Sequence, residues 1–270
     1  MFTILLAGAA LLGVIVGSFL NALSFRFNTG RRFFSAQGMG GRSRCMQCGH
    51  TLGGLDLVPV LSFVFLGGKC RYCGSRVSLQ YPLVELLAGA LAAGVYLANP
   101  SVLAFAFWFF VWMTLLFVVL YDIKHTIIPW SCSLLLIALA FAQLFYHFDT
   151  LQLAIPGLWV LLSGPLLALP LFLLSLVSWG RWMGWADSVL ELSLGAFLGL
   201  SAGATALMLA FWSGAIVGIF LLLLSRLSFY ISSRGGSFRY TIKSEMPFAP
   251  FLILGAALAY FFHVDFFSTI

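Results

Sequence analysis

Eight stretches of this chain, at about residues 2–25, 82–98, 101–121, 128–147, 152–177, 188–202, 205–226 and 248–264, are almost free of charge and approach span length. Roughly 20 apolar residues cross the ~30 Å hydrocarbon core of a bilayer as a helix. Backbone groups in lipid must be satisfied within the segment or in a closed barrel, and a barrel would show alternating segments of about ten residues. The runs here are continuous, so the fold class is an all-α polytopic membrane protein of about eight transmembrane helices. Composition agrees: 62% of residues are hydrophobic and 8% charged, with a mean hydropathy of +1.07, far from soluble usage. No soluble domain of ordinary size fits between the runs. The first run, Phe2 to Leu23, lacks a basic leader region and a small-residue cleavage site and continues into Arg26, so it reads as a retained span.

Charge orients the bundle. Of the 14 basic residues, Arg26, Arg31, Arg32, Arg42, Arg44, Lys69, Arg71 and Arg76 lie between the first two runs. Basic residues near span ends stay on the cytoplasmic side, which puts that loop inside and the N-terminus outside. With eight spans, alternation then places Lys124, Arg181, Arg226, Arg234, Arg239 and Lys243 on the same face. The organisation is a first transmembrane helix (1–25), a cytoplasmic loop domain (26–81) and a seven-helix membrane core (82–270). Asp149, Asp265, His147 and His263 fall outside, where solvation at helix ends accounts for them. Asp122 closes the third span and Asp187 opens the sixth, so both sit at the cytoplasmic rim.

The loop carries Cys45-x-x-Cys48 and, twenty-one residues on, Cys70-x-x-Cys73, each pair followed by glycine, Gly49 and Gly74. Two such knuckles can supply a closed tetrahedral shell of four thiolates, and a closed shell means structural zinc. Two disulfides are the competing chemistry, disfavoured in a reducing cytoplasm; free thiols are the third possibility. A loop of this size cannot build a core of its own, and zinc can contribute on the order of 10 kcal/mol of folding free energy. The surrounding Arg and Lys favour thiolate and face anionic lipid. Cys132, alone near the start of the fourth span, reads as a small buried hydrophobe.

An acid near a membrane invites a functional reading, and two on one face invite a sharper one. Brought within a few ångströms, Asp122 and Asp187 cannot both ionise near neutral pH and would share a proton. The ionised member could then take a proton from an attacking water while the other polarises a peptide carbonyl. Pairing of each carboxylate with Lys124 or Arg181 is the alternative. In "IIPW", Pro129 marks a helix restart.

These motifs resemble the bacterial prepilin peptidases, or type IV leader peptidases, a GxGD-type family of intramembrane aspartic peptidases, over nearly the whole chain. "GSFLNALSFRF", the cysteine loop from "RSRCMQCGH" to "YPLVELLAG", "YDIKHTIIP", "GWAD" and "MPFAPFLILGA" each resemble a family block. The resemblance implies Asp122 and Asp187 as catalytic residues. It implies removal of the basic leader from type IV prepilins and type II secretion pseudopilins at the cytoplasmic face of the bacterial inner membrane. It further implies N-methylation of the new N-terminal residue from S-adenosylmethionine. Substrate proteins and the bilayer are the expected partners; nucleic acid is not. Three positions depart from the family: Ala186 stands for the second glycine of GxGD, Val189 for a lysine, and Trp130 for a polar residue after the proline. A noncatalytic zinc-bearing scaffold that binds pilin or a secretion component is the alternative to an enzyme.

Glu85 opens the second span, where a helix dipole favours a carboxylate; a part in the methyl-transfer site is its other reading. Gly13 and Gly17 form a GxxxG pattern suited to close helix packing. No dinucleotide-type Gly-rich loop marks a cofactor site. The polar stretch 232–245 reads as a solvated cytoplasmic connector.

Overall fold

The computed structural model describes residues 1–27, 43–148, 152–153, 155–181, 183–231 and 246–267. Arg31, Arg32, Arg42, Asp149, Arg234, Arg239, Lys243 and the connector 232–245 lie outside the described residues. Eight long helices are present among those described: α1 (Phe2–Arg26), α3 (Gln80–Ala98), α4 (Val102–His125), α5 (Trp130–Phe145), α6 (Leu158–Val177), α7 (Trp185–Leu198), α8 (Leu200–Ile231) and α9 (Ala249–Phe262). A 3₁₀ turn (Gly54–Leu57) and the short α2 (Leu61–Phe65) lie between α1 and α3. Five of the helices, α1, α3, α4, α6 and α8, are long and apolar enough to cross a membrane. The sequence places the fourth and fifth spans closer together than they are. Residues there form a two-stranded antiparallel pair, β1 (Tyr146–His147) with β2 (Gln152–Leu153), and α6 starts only at Leu158.

The chain divides into two compact units, Met1–Leu120 and Tyr121–Ile270. In the first, α1 lies against α3. The GxxxG pattern explains why they approach so closely. A Cβ on Gly17 would sit 2.5 Å from the Ala88 Cβ, and one on Gly89 would sit 2.7 Å from Val14 Cγ2. Gly13 faces the Ala88 carbonyl and Ala92 in the same way. Small residues meet small residues, and backbone contact replaces the hydrophobic drive that lipid cannot supply. Val84, Ala88 and Ala92 of α3 then form a core with Met113, Leu116 and Leu120 of α4. Gly17→Val is expected to destabilise this pair by at least about 2 kcal/mol, because the new methyls meet backbone. Thermal unfolding in detergent measures the loss; Gly8→Val, where nothing lies within 4 Å of the added carbon, is the control.

In the second unit, α7 packs against α5, α6, α8 and α9. Gly164 of α6 and Gly195 of α7 meet so that a Cβ on Gly195 would lie 3.1 Å from the Gly164 Cα. Ser163 Oγ donates across the same contact to the Gly195 carbonyl at 3.0 Å. The C-terminal end is tied down more firmly than solvation alone provides. Asp265 accepts from Ser201 Oγ and, at 2.9 Å, from the Phe267 amide, while the Phe266 amide donates to Thr205 Oγ1 at 2.9 Å. The Ser201 hydroxyl and the Phe267 amide hold the Asp265 carboxyl below the usual carboxylate range. A depressed folded value means that its stabilisation is complete above the unfolded value of about 3.9 and is lost as pH falls through the folded value. The stability advantage of the parent over Asp265→Asn is therefore expected at neutral pH and should begin to decline as pH falls below about 4. Unfolding midpoints of the two proteins across that range check it.

Candidate active site and metal centre

The cysteine loop folds as two matched knuckles. In the first, Arg44 bridges Thr51, the Cys45 amide donates to the His50 carbonyl at 3.0 Å, and the Gly49 amide returns to the Cys45 carbonyl at 2.9 Å. In the second, Lys69 bridges Arg76, Cys70 bonds Ser75 at 2.8 Å, and Gly74 returns to Cys70 at 2.9 Å. Gly49 and Gly74 take φ of +69° and +71°, the left-handed turn that brings the second thiol back toward the first. The four sulfurs lie within 4.8 Å of one another, and Cys45 Sγ is 3.9 Å from Cys73 Sγ. A zinc–sulfur bond of about 2.3 Å puts tetrahedral sulfurs ~3.8 Å apart, so the set fits zinc; it does not fit a disulfide, whose sulfurs are about 2.05 Å apart.

The local field favours the thiolate at Cys45 and Cys73 and the thiol at Cys48. The Cys48 and Gln47 amides bring the Cys45 thiol down to about 6. The Ser75 hydroxyl and amide lower Cys73. Cys48 is pushed up to about 11: the His50 amide favours its thiolate, but desolvation and the neighbouring Cys45 and Cys73 outweigh that bond. Asp56, which sequence reasoning missed, braces the module by accepting from Arg71 Nε at 2.7 Å and from the Gly53 amide at 3.1 Å. Glu85 is buried, and its Oε2 accepts from the Val60 amide at 2.7 Å. Val60 holds a φ of +59°, unusual for a β-branched residue, so this carboxylate stabilises a strained entry into α2. Its observed contact is thus structural. Nearby, Gln80 Nε2 donates to the buried Asn21 Oδ1 at 3.0 Å, joining α3 to the "GSFLN" block of α1.

Each of the two aspartates stands near a helix end. Asp122 stands in the last turn of α4, which ends where the Thr126 amide returns to the Asp122 carbonyl at 2.8 Å with Thr126 at φ +52°. Pro129 caps α5 from just outside its first turn. Asp187 stands in the first turn of α7, where its Oδ2 accepts from the Gly184 amide at 3.2 Å. Both side chains are buried, at 4% and 9% exposure, and each lies within the other's electrostatic reach. Neither forms an ion pair among the described residues. The backbone amide of Ala249 faces the Asp122 carboxyl, so the N-terminus of α9 is aimed at it. That gives "MPFAPFLILGA" a place in the site that its sequence did not suggest. Asp122 Oδ2 is left buried without a hydrogen-bond partner. Ala186 lies within α7 and outside the left-handed region, so a methyl group costs no backbone strain there. Trp130, the first residue of α5, is 62% exposed.

Eight long helices among the described residues, five of them long and apolar enough to cross a membrane, and a loop whose four thiols could hold a metal ion define a multi-pass membrane protein. The profile of the Bacterial Peptidase A24 N-terminal domain matches residues 11–99. A prepilin leader peptidase/N-methyltransferase of Burkholderia pseudomallei (strain 1026b) is 33% identical over 97% of this chain and 87% of its own length. Those of Dichelobacter nodosus (32% identical, 82% of this chain, 71% of the relative) and Bacillus subtilis strain 168 (29%, 93% and 91%) are also similar. No solved structure matches. The chain belongs to the prepilin leader peptidase/N-methyltransferase family.

Proposed function

We infer that this protein is a membrane aspartic endopeptidase that removes the leader of type IV prepilins and type II secretion pseudopilins, and then methylates the new N-terminus. The observation that carries the reading is the pair of buried, mutually interacting carboxyls, Asp122 and Asp187, with no ion pair to either among the described residues. Low dielectric makes double ionisation expensive, so one proton serves both groups. The ionised member removes a proton from a water as its oxygen attacks the scissile carbonyl. The neutral member donates to the carbonyl oxygen, and the amine leaves with a proton returned from the pair. Amides of Ala249 and Gly184 hold the carboxyls in place without adding charge.

The distribution of Lys and Arg supports a cytoplasmic location for the cysteine loop and for both helix ends that bear the aspartates. A substrate with a basic leader inside and an apolar helix in the bilayer would present its scissile bond at that level. Cys45, Cys48, Cys70 and Cys73 would hold a structural zinc ion, with no open coordination position for chemistry. S-adenosylmethionine supplies an electrophilic methyl group to the freed amine when bound. Purified protein incubated with prepilin, with and without S-adenosylmethionine, tests the reading by mass spectrometry. Loss of the leader and gain of one methyl group are expected. Capture of intact prepilin without cleavage supports the scaffold instead.

A further inference from the structure

Nine residues of α7 are buried, and among them is a second carboxyl that has no place in the reaction described above. Glu191 is 2% exposed, and its Oε1 is enclosed without a hydrogen-bond partner. Ser188 Oγ, on the same helix at 3% exposure, is in the same condition. Among the described residues, α5, α6, α8 up to Ser225, and α9 carry no Lys, Arg or His; the titratable groups they contribute are Cys132 and Tyr260. Asp122 comes in from the end of α4. Among the described side chains, no helix packed on α7 offers a counter-charge, so an ionised Glu191 would be a buried charge with no partner among them. The neutral acid avoids that cost and carries an O–H to donate.

Its position directs that donor. Side chains on a helix tilt toward the N-terminus, so Glu191 reaches back over the turn that holds Asp187 and Ser188. Four residues correspond to about 6 Å along the axis, too far for a reliable direct bond but suited to a bridge. Buried polar atoms left over by the protein are ordinarily completed by internal water, which makes about three hydrogen bonds.

We propose that Glu191 is a positioning residue for the aspartate pair: with Ser188 it anchors a buried water that donates a hydrogen bond to Asp187 from behind. The inference rests on the reading of Asp122 and Asp187 as the reacting pair. A donor behind Asp187 favours its carboxylate, so removing the donor makes that group harder to ionise.

The experiment is the pH dependence of prepilin cleavage by Glu191→Leu, Glu191→Gln and Ser188→Ala in the full-length zinc-loaded protein. Glu191→Leu should lower kcat about tenfold, leave KM within about twofold, and move the acid limb of kcat to higher pH. Glu191→Gln keeps an N–H donor and should retain most of the parent kcat and its limb. Ser188→Ala should shift the limb in the same direction as Glu191→Leu. Parent-like kinetics in Glu191→Leu, equal loss in Glu191→Gln, or a shift to lower pH would each overturn the proposal. If Glu191→Leu does not purify as a folded protein, Ser188→Ala decides, and an unshifted limb overturns it. Cleavage by Asp187→Asn at the parent rate would instead overturn the dyad itself, whereas an inactive Asp187→Asn beside a parent-like Glu191→Leu removes only this inference.

Discussion

Asp122→Asn and Asp187→Asn are each expected to reduce prepilin cleavage about 10³-fold or more, with helix content and zinc content unchanged. Asn preserves the shape of the side chain and an oxygen that can accept from the Ala249 or Gly184 amide. It cannot exchange a proton. The two carboxyls act as one proton-holding unit, so the double variant should be no worse than either single one. Additive losses would mean independent roles, and cleavage retained above about a tenth of the parent rate in either single variant would refute the pair. A pilin supplied already free of its leader provides the companion assay. Methylation of that substrate should survive both substitutions, because it does not require the attack on a peptide bond.

Removing the metal should have the largest effect on folding. The module between α1 and α3 has little core to fall back on: Leu55 is 75% exposed, Leu61 55%, Val64 67% and Phe65 83%. What holds it is the thiolate set, two glycine turns and the Asp56 brace. Replacing any one of Cys45, Cys48, Cys70 or Cys73 with Ser, or treating with a strong chelator, forfeits metal binding worth on the order of 10 kcal/mol. The expected result is loss of bound zinc and rapid proteolysis within the loop, while the second unit keeps its helices. Methylation should fall further than cleavage, since Asp122 and Asp187 both belong to the Tyr121–Ile270 unit. Equal loss of the two activities would show that zinc supports the whole bundle.

Some of this site was readable before any coordinates. The CxxC pairs and their glycines translate directly into two knuckles because a knuckle is a local object: the turn, the φ > 0 glycine and both thiols fall within six residues. Gly13 and Gly17 announced a close helix contact for the same reason, though not its partner, which proved to be Ala88 and Ala92. Glu85 was harder. A carboxylate at a helix start invites the dipole explanation, and only the folded chain reveals the Val60 amide, 25 residues earlier, as the group it serves. Ala186 stands where the family resemblance expects a glycine, and only the fold shows that the position is helical and tolerates a methyl group. Glu191 carried no signal at all. One acid in an apolar helix has no pattern until burial and the absence of cations on its neighbours are known.

Hydropathy, thiol spacing and the placement of basic residues are properties of short stretches, and the number of helices, the metal module and its thiolate chemistry follow from them. That Asp122 and Asp187 feel each other's charge does not, since 65 residues and two intervening helices, α5 and α6, separate them along the chain. Nor does the approach of the α9 N-terminus to Asp122, or the burial of Glu191 with no basic side chain among the described parts of the helices packed on it. These depend on how helices pack sideways, and lateral packing is decided by the summed fit of many small contacts such as Gly164 against Gly195.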